Sequence, residues 1–158
     1  MWIKRAFYAA MICLLLPTNG SGQNVMGLTI TGAIDQSPTI LTRQALAQID
    51  WVDIETYTSF TDGLQRFSGA RLARVLAAVG AKGTTLRARA LNGYFVTIPL
   101  SHAQEHNVLL AMDHDGKPMR IRDKGPIWVV YPLSEAEAKN KPFDNQMIWQ
   151  LSTLEVLP

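Results

Sequence analysis

Two turn dipeptides fix most of what this chain can fold into. Asn92-Gly93 lies between apolar runs at 86–90 and 94–98, and Asp115-Gly116 lies between runs at 108–112 and 119–121. Both pairs accept the positive φ that a tight reversal demands, so each predicts an antiparallel hairpin. The surrounding pattern agrees. GLTITG at 27–32 and VDIETY at 52–57 alternate with period two, as half-buried strands do. PIWVVY at 126–131 reads as a buried strand ended by Pro132, and residues 148–156 supply a closing strand. Helices are few and short. ARLARVLAAV at 70–79 puts Leu72, Val75, Leu76 and Val79 on one stripe, with Gly80 as its stop. Thr42 caps a helix over 43–49, and 101–105 and 134–138 give about one turn each. The expected class is α+β, mostly antiparallel β with a few short helices.

The N-terminus reads differently. Lys4 and Arg5 precede a charge-free apolar run at 6–17, and small polar residues follow, with Gly20 and Gly22 at −3 and −1 of a cleavage before Gln23. That is the three-part layout of a secretory signal peptide, so residues 1–22 are expected to be removed on export to the periplasm. The apolar run is shorter than the ~20 residues a membrane-spanning helix needs. Residues 23–158 contain no repeat or linker and read as a single domain. Lys4 and Arg5 account for the whole formal excess of +2, so this domain is near neutral and offers no electrostatic case for nucleic acid. The one cysteine, Cys13, lies in the apolar run. The domain after it therefore has no disulfide, thiolate metal site or cysteine nucleophile.

Five landmarks follow in order: FSG-x-x-L-x-x-VL at 67–76, NGY-x-x-x-IPL at 92–100, VLLAMDHDGKPM at 108–119, RDKGPIWVVYP at 122–132 and IWQL at 148–151. Their order and spacing resemble the molybdopterin-binding domain of the sulfite oxidase superfamily, over nearly all of residues 23–158. The resemblance implies a sulfite-oxidase-like fold with the pterin of the cofactor beside Arg122, Asp123, Lys124 and Gly125. Lys124 stands where enzymes of the superfamily commonly carry histidine. It further implies a molybdenum-binding cysteine ahead of the α-helical landmark, and here the sequence departs. Residues 55–69, ETYTSFTDGLQRFSG, hold none. Hydroxyls such as those of Thr58 and Ser59 are poor ligands for a metal that uses soft thiolate. The chain is thus most similar to the short, exported, cysteine-free branch of the superfamily. Members of that branch are described as pterin-binding proteins, some linked to periplasmic sensing by membrane enzymes that regulate cyclic-di-GMP.

A pterin is a flat heteroaromatic ring with a donor/acceptor edge, so its pocket needs stacking surfaces and a few convergent polar groups. Three loops offer them. In 56–62, Tyr57 and Phe60 are candidates for stacking and Thr58, Ser59 and Asp62 for hydrogen bonds. In 91–94 the candidate is Tyr94. In 113–125 they are Asp113, Arg122, Asp123 and Lys124, next to Gly125, whose missing side chain admits a ligand to the backbone. Each has an ordinary alternative. Arg122 and Asp123 can pair with charged neighbours across a hairpin, Asp113 can serve its own turn, and Tyr94 can make a cross-strand contact. Trp128 is either a stacking platform or a core residue, and Trp149 likewise. His102 and His106 share the i,i+4 spacing of a zinc pair, with His114 as a third ligand. They lack the H-E-x-x-H glutamate, and loop histidines explain them, so no metal site is assigned.

The resemblance implies a periplasmic pterin-binding protein that reports its ligand, a pterin in oxidised or reduced form, to a membrane signalling partner rather than turning over a substrate. Molybdenum is not expected. The alternatives are a molybdopterin-dependent oxidoreductase lacking the cysteine ligand, and a non-catalytic interaction domain.

Overall fold

The computed structural model describes residues 27–158; the expected signal peptide, residues 1–22, lies outside the described residues. Strands β1 (Leu28–Gly32) and β2 (Thr39–Leu41) lead into α1 (Arg43–Ile49). β3 (Val52–Thr56) and β4 (Gln65–Arg71) pair antiparallel, and α2 (Leu72–Ala78) leaves β4 with no loop between. A second hairpin, β5 (Thr85–Ala90) and β6 (Phe95–Pro99), precedes the single turn α3 (His102–Glu105). β7 (Leu109–His114) reverses into the two-residue β8 (Lys117–Pro118), and a 3-10 turn (Ile121–Asp123) leads to β9 (Trp128–Val130). Then come α4 (Glu135–Asn140) and β10 (Leu151–Leu157).

The strands form two sheets. One has the order β2-β1-β10-β5-β6, antiparallel throughout except for the parallel pair β1–β10. The other runs β3-β4-β7-β8, with β9 also on β7. This is the α+β, mostly antiparallel class the sequence predicts. The main core gathers Leu28, Ile30, Leu46, Leu72, Val75, Leu76, Leu86, Ile98, Leu154 and Val156. β7 is buried on both faces. Leu110 and Met112 join that core, while Leu109 and Ala111 join a smaller cluster with Phe67, Trp128 and Val130. A strand covered on both sides has no need to alternate, hence the unbroken VLLAM.

The capping residues place the helices. Thr42 Oγ1 accepts the Ala45 N–H at 3.1 Å, and α1 spans the predicted 43–49. Ser134 and Glu137 form a reciprocal capping box that starts α4. Elsewhere the structure corrects the sequence. The helix expected from residue 70 begins at Leu72, because residues 65–71 belong to β4. Gly69 lets that strand approach β7, for a Cβ there would sit 2.1 Å from the Leu110 carbonyl oxygen. Arg71 closes the strand on Asp50, donating from its backbone N–H, Nε and Nη2 at 2.9–3.0 Å. At Asn92-Gly93 only Gly93 takes a positive φ, and Asn92 Oδ1 accepts the Tyr94 N–H at 3.0 Å. The loop therefore spans four residues, and β6 starts at Phe95 rather than at 94. At Asp115-Gly116 both residues have positive φ, giving the tight reversal predicted. The return strand, however, is only Lys117–Pro118, ahead of the expected 119–121, and Ile121 instead opens the 3-10 turn, closed by Asp123 N–H to Arg120 O at 2.8 Å. The closing strand begins at Leu151 rather than 148, because Gln150 sits at φ +54°.

Candidate functional site

An open cavity of about 560 Å³ lies where three segments converge. The loop after β3 brings Phe60, the β5–β6 turn brings Asn92 and Tyr94, and residues 144–150 bring Asp144, Asn145, Trp149 and Gln150. Its apolar walls are Phe60, Tyr94 and Trp149, with Met147 and Ile148 behind. Phe60 meets Trp149 edge-on at 5.4 Å between ring centroids, and Trp128 at 6.3 Å. The two tryptophans have different roles. Trp128 is 1% exposed, rests on Phe67 at 5.2 Å and donates its indole N–H to the Met147 carbonyl at 3.2 Å. Trp149 is 42% exposed and lines the cavity.

Lys124 ties the charged loop to this wall. It occupies the left-handed region at φ +72°, and its carbonyl accepts the Gln150 N–H at 3.0 Å. Its ammonium lies 5.1 Å from the Trp149 ring and 5.4 Å from Trp128, within cation–π range of both. The adjoining Gly125 is enclosed, since a Cβ there would meet the Met119 carbonyl oxygen at 2.2 Å. Its bareness serves close backbone packing at this point.

The other candidates fall in different places. Asp123 accepts from Arg120 Nε at 2.6 Å, and that hydrogen bond holds its carboxyl below the usual carboxylate range. Arg122 is largely exposed, its Nε 3.9 Å from Asp123. Asp113 is buried against Arg43, whose Nη2 lies 2.8 Å from each carboxylate oxygen; hydrogen-bond geometry is met at Oδ2 and not at Oδ1. Tyr57, Thr58 and Ser59 line a neighbouring cavity of about 410 Å³ with Lys139 and Lys141. Thr58 Oγ1 accepts the Phe60 N–H and meets Thr61 Oγ1 at 2.8 Å, shaping the loop that presents Phe60. Ser59 reaches back to the first cavity, its hydroxyl donating to Asp144 Oδ1 at 2.6 Å.

The histidines serve two aromatic clusters. His102 and His106 pack with Tyr131 and Phe143, and His102 Nδ1 lies 3.1 Å from the Tyr131 hydroxyl. Burial, then the charge of His106, pushes the His102 pKa down. His114 instead stacks on Phe67 at 4.8 Å.

Of residues 144–150, only Trp149 is a site candidate on sequence alone. Their sequence signal is the polar DNQ at 144–146, one residue ahead of IWQL. The donor set suits the organic part of a molybdopterin: three aromatic walls, a carboxylate, side-chain amides and a nearby ammonium. It supplies oxygen and nitrogen donors and no thiolate, since Cys13 is the chain's one cysteine.

Comparisons with known proteins bear on the family and the fold. No curated protein sequence matches the chain. Among solved structures, the sulfane dehydrogenase SoxCD from Paracoccus pantotrophus is similar, with 18% identity and a TM-score of 0.65. The alignment covers 83% of this chain and 38% of the SoxCD chain, so the likeness is one of fold over well under half of that protein. A family model described as the oxidoreductase molybdopterin binding domain matches residues 28–143, ending one residue before Asp144. That match takes in most of both sheets and two of the cavity's three segments, and the chain accordingly belongs to the oxidoreductase molybdopterin binding domain family, within the sulfite oxidase superfamily.

Proposed function

We propose that this protein is an exported member of the family that binds a pterin in the cavity between Phe60, Tyr94 and Trp149, and reports its occupancy to a membrane signalling partner. The observation that carries the reading is the cavity itself, whose volume suits a small ligand and whose aromatic walls suit a flat ring. The missing thiolate turns the reading away from molybdenum-centred redox chemistry and towards ligand binding. Export rests on the signal-like residues 1–22, and a regulator of cyclic-di-GMP is the partner class that the cysteine-free branch suggests. The family match favours a second reading, an oxidoreductase that holds molybdopterin without a cysteine ligand.

The test is the protein recovered from a periplasmic extract of a host that makes molybdopterin. Fluorescence and mass of the released small molecule identify a pterin, and metal analysis of the same sample separates the two readings. N-terminal sequencing should find Gln23 first. Near one molybdenum per chain would favour the second reading, and intact Met1 on a cytoplasmic pool would refute export.

A further inference from the structure

We propose that Asp144 reads the 2-amino edge of the bound ring, making the site selective for 2-amino-4-oxopteridines over 2,4-dioxopteridines such as lumazine. The inference rests on the pterin reading above and assigns its specificity to a residue outside the family match. Asp144 is the one carboxylate among the described residues that line the cavity. The Ser59 hydroxyl fixes it through Oδ1 at 2.6 Å, so the loop that presents Phe60 also orients the carboxylate. Among the described residues, Oδ2 accepts no hydrogen bond. A carboxylate has about four lone-pair sites, so Oδ1 can keep Ser59 and still take a second donor. It can therefore receive two parallel N–H donors from a ligand, a charge-assisted and directional pairing.

Ring chemistry supplies those donors selectively. The 2-amino group and N3–H of a pterin point the same way and match the two carboxylate oxygens. Lumazine keeps N3–H but replaces the amino group with a carbonyl, which sets an acceptor against a carboxylate oxygen. An acceptor set against a carboxylate oxygen forfeits the hydrogen bond and is repelled, and that mismatch disfavours the analogue. The cavity lining also offers amide donors. Asn92 spends its Oδ1 on the Tyr94 N–H, leaving its amide N–H groups as donors for an acceptor of the ring.

The test titrates pterin and lumazine, both oxidised, into the purified protein and into Asp144→Asn, following quenching of pteridine fluorescence. The parent should bind pterin about ten- to a hundredfold tighter than lumazine, the scale of one charge-assisted hydrogen bond. Asp144→Asn should lose that preference, because the carboxamide offers lumazine's 2-carbonyl a donor. Equal affinities in the parent, or unchanged selectivity in the variant, would overturn this inference while leaving pterin binding intact. Binding of neither ring by the parent would overturn both. Should the variant fail to fold, the parent's own pterin-to-lumazine ratio still decides.

Discussion

Replacing Trp149 with alanine removes one exposed aromatic wall of the cavity while leaving the core closed. The indole meets Phe60 edge-on and lies beneath the Lys124 ammonium. Such contacts are worth about 0.5–1.5 and 0.5–1 kcal/mol respectively, so the stability lost should be about 1–2 kcal/mol. Stacking of a flat heteroaromatic ring on an aromatic side chain contributes about 1–3 kcal/mol, so pterin affinity should fall roughly ten- to a hundredfold. Trp128→Ala provides the contrast. That ring is buried on Phe67 with its N–H satisfied, and its loss should cost about 3–5 kcal/mol, a fall in Tm of about 10 °C or more. Thermal melts without ligand, paired with fluorescence titration of pterin, measure both quantities. Unchanged pterin affinity in Trp149→Ala, or a melting loss equal to that of Trp128→Ala, would refute the division of roles between the two indoles.

Lys124→Ala should weaken pterin binding severalfold, whereas Asp123→Ala, whose carboxylate is taken by Arg120, should leave it unchanged; one titration series compares the two. Leu76→Ala empties a buried position on α2 and should cost about 2–5 kcal/mol in a urea melt, without a comparable loss of affinity in the folded fraction. Asp50 is held below the usual carboxylate range chiefly by its hydrogen bond from the Arg71 side chain. A lowered folded pKa stabilises fully above the unfolded value, about 3.9, and the contribution fades as pH falls through the lowered one. Asp50→Asn should therefore reduce stability at neutral pH and flatten its decline below about pH 4, read from melts across pH.

Local signals carried the sequence reading a long way. Thr42 and Ser134 announce their helices because a cap is a short-range hydrogen bond, β1 and β3 show themselves by alternation, and β5 by the turn that follows it. What stayed hidden depends on distant partners. β4 reads as a polar lead-in to a helix because its small residues answer to β7, and Gly69 makes sense only beside Leu110. The same division holds for the candidate site. Phe60, Tyr94 and Lys124 were marked by residue type and loop position, and the structure brings them to one aromatic wall or its edge. Asp113 resembles a turn residue until Arg43, seventy positions earlier, is seen to claim it. Asp144 was missed because its role is set by Ser59, on a loop far from it in sequence. The expected strand over 148–156 masked the kink at Gln150 that frees Trp149 to face the cavity.

The parallel pairing of β1 with β10 also governs how the chain reaches this fold. Within the described residues the first strand to emerge during synthesis must wait for the last, Leu151–Leu157, before its inner edge is paired. Contacts so far apart in sequence incur the full entropy of loop closure before any of it is recovered, so completion of this sheet is a late, cooperative event. Until then β1 presents an unpaired edge, a hazard for association with other chains. For the exported route proposed above, the same delay keeps the polypeptide threadable until its final strand has been made.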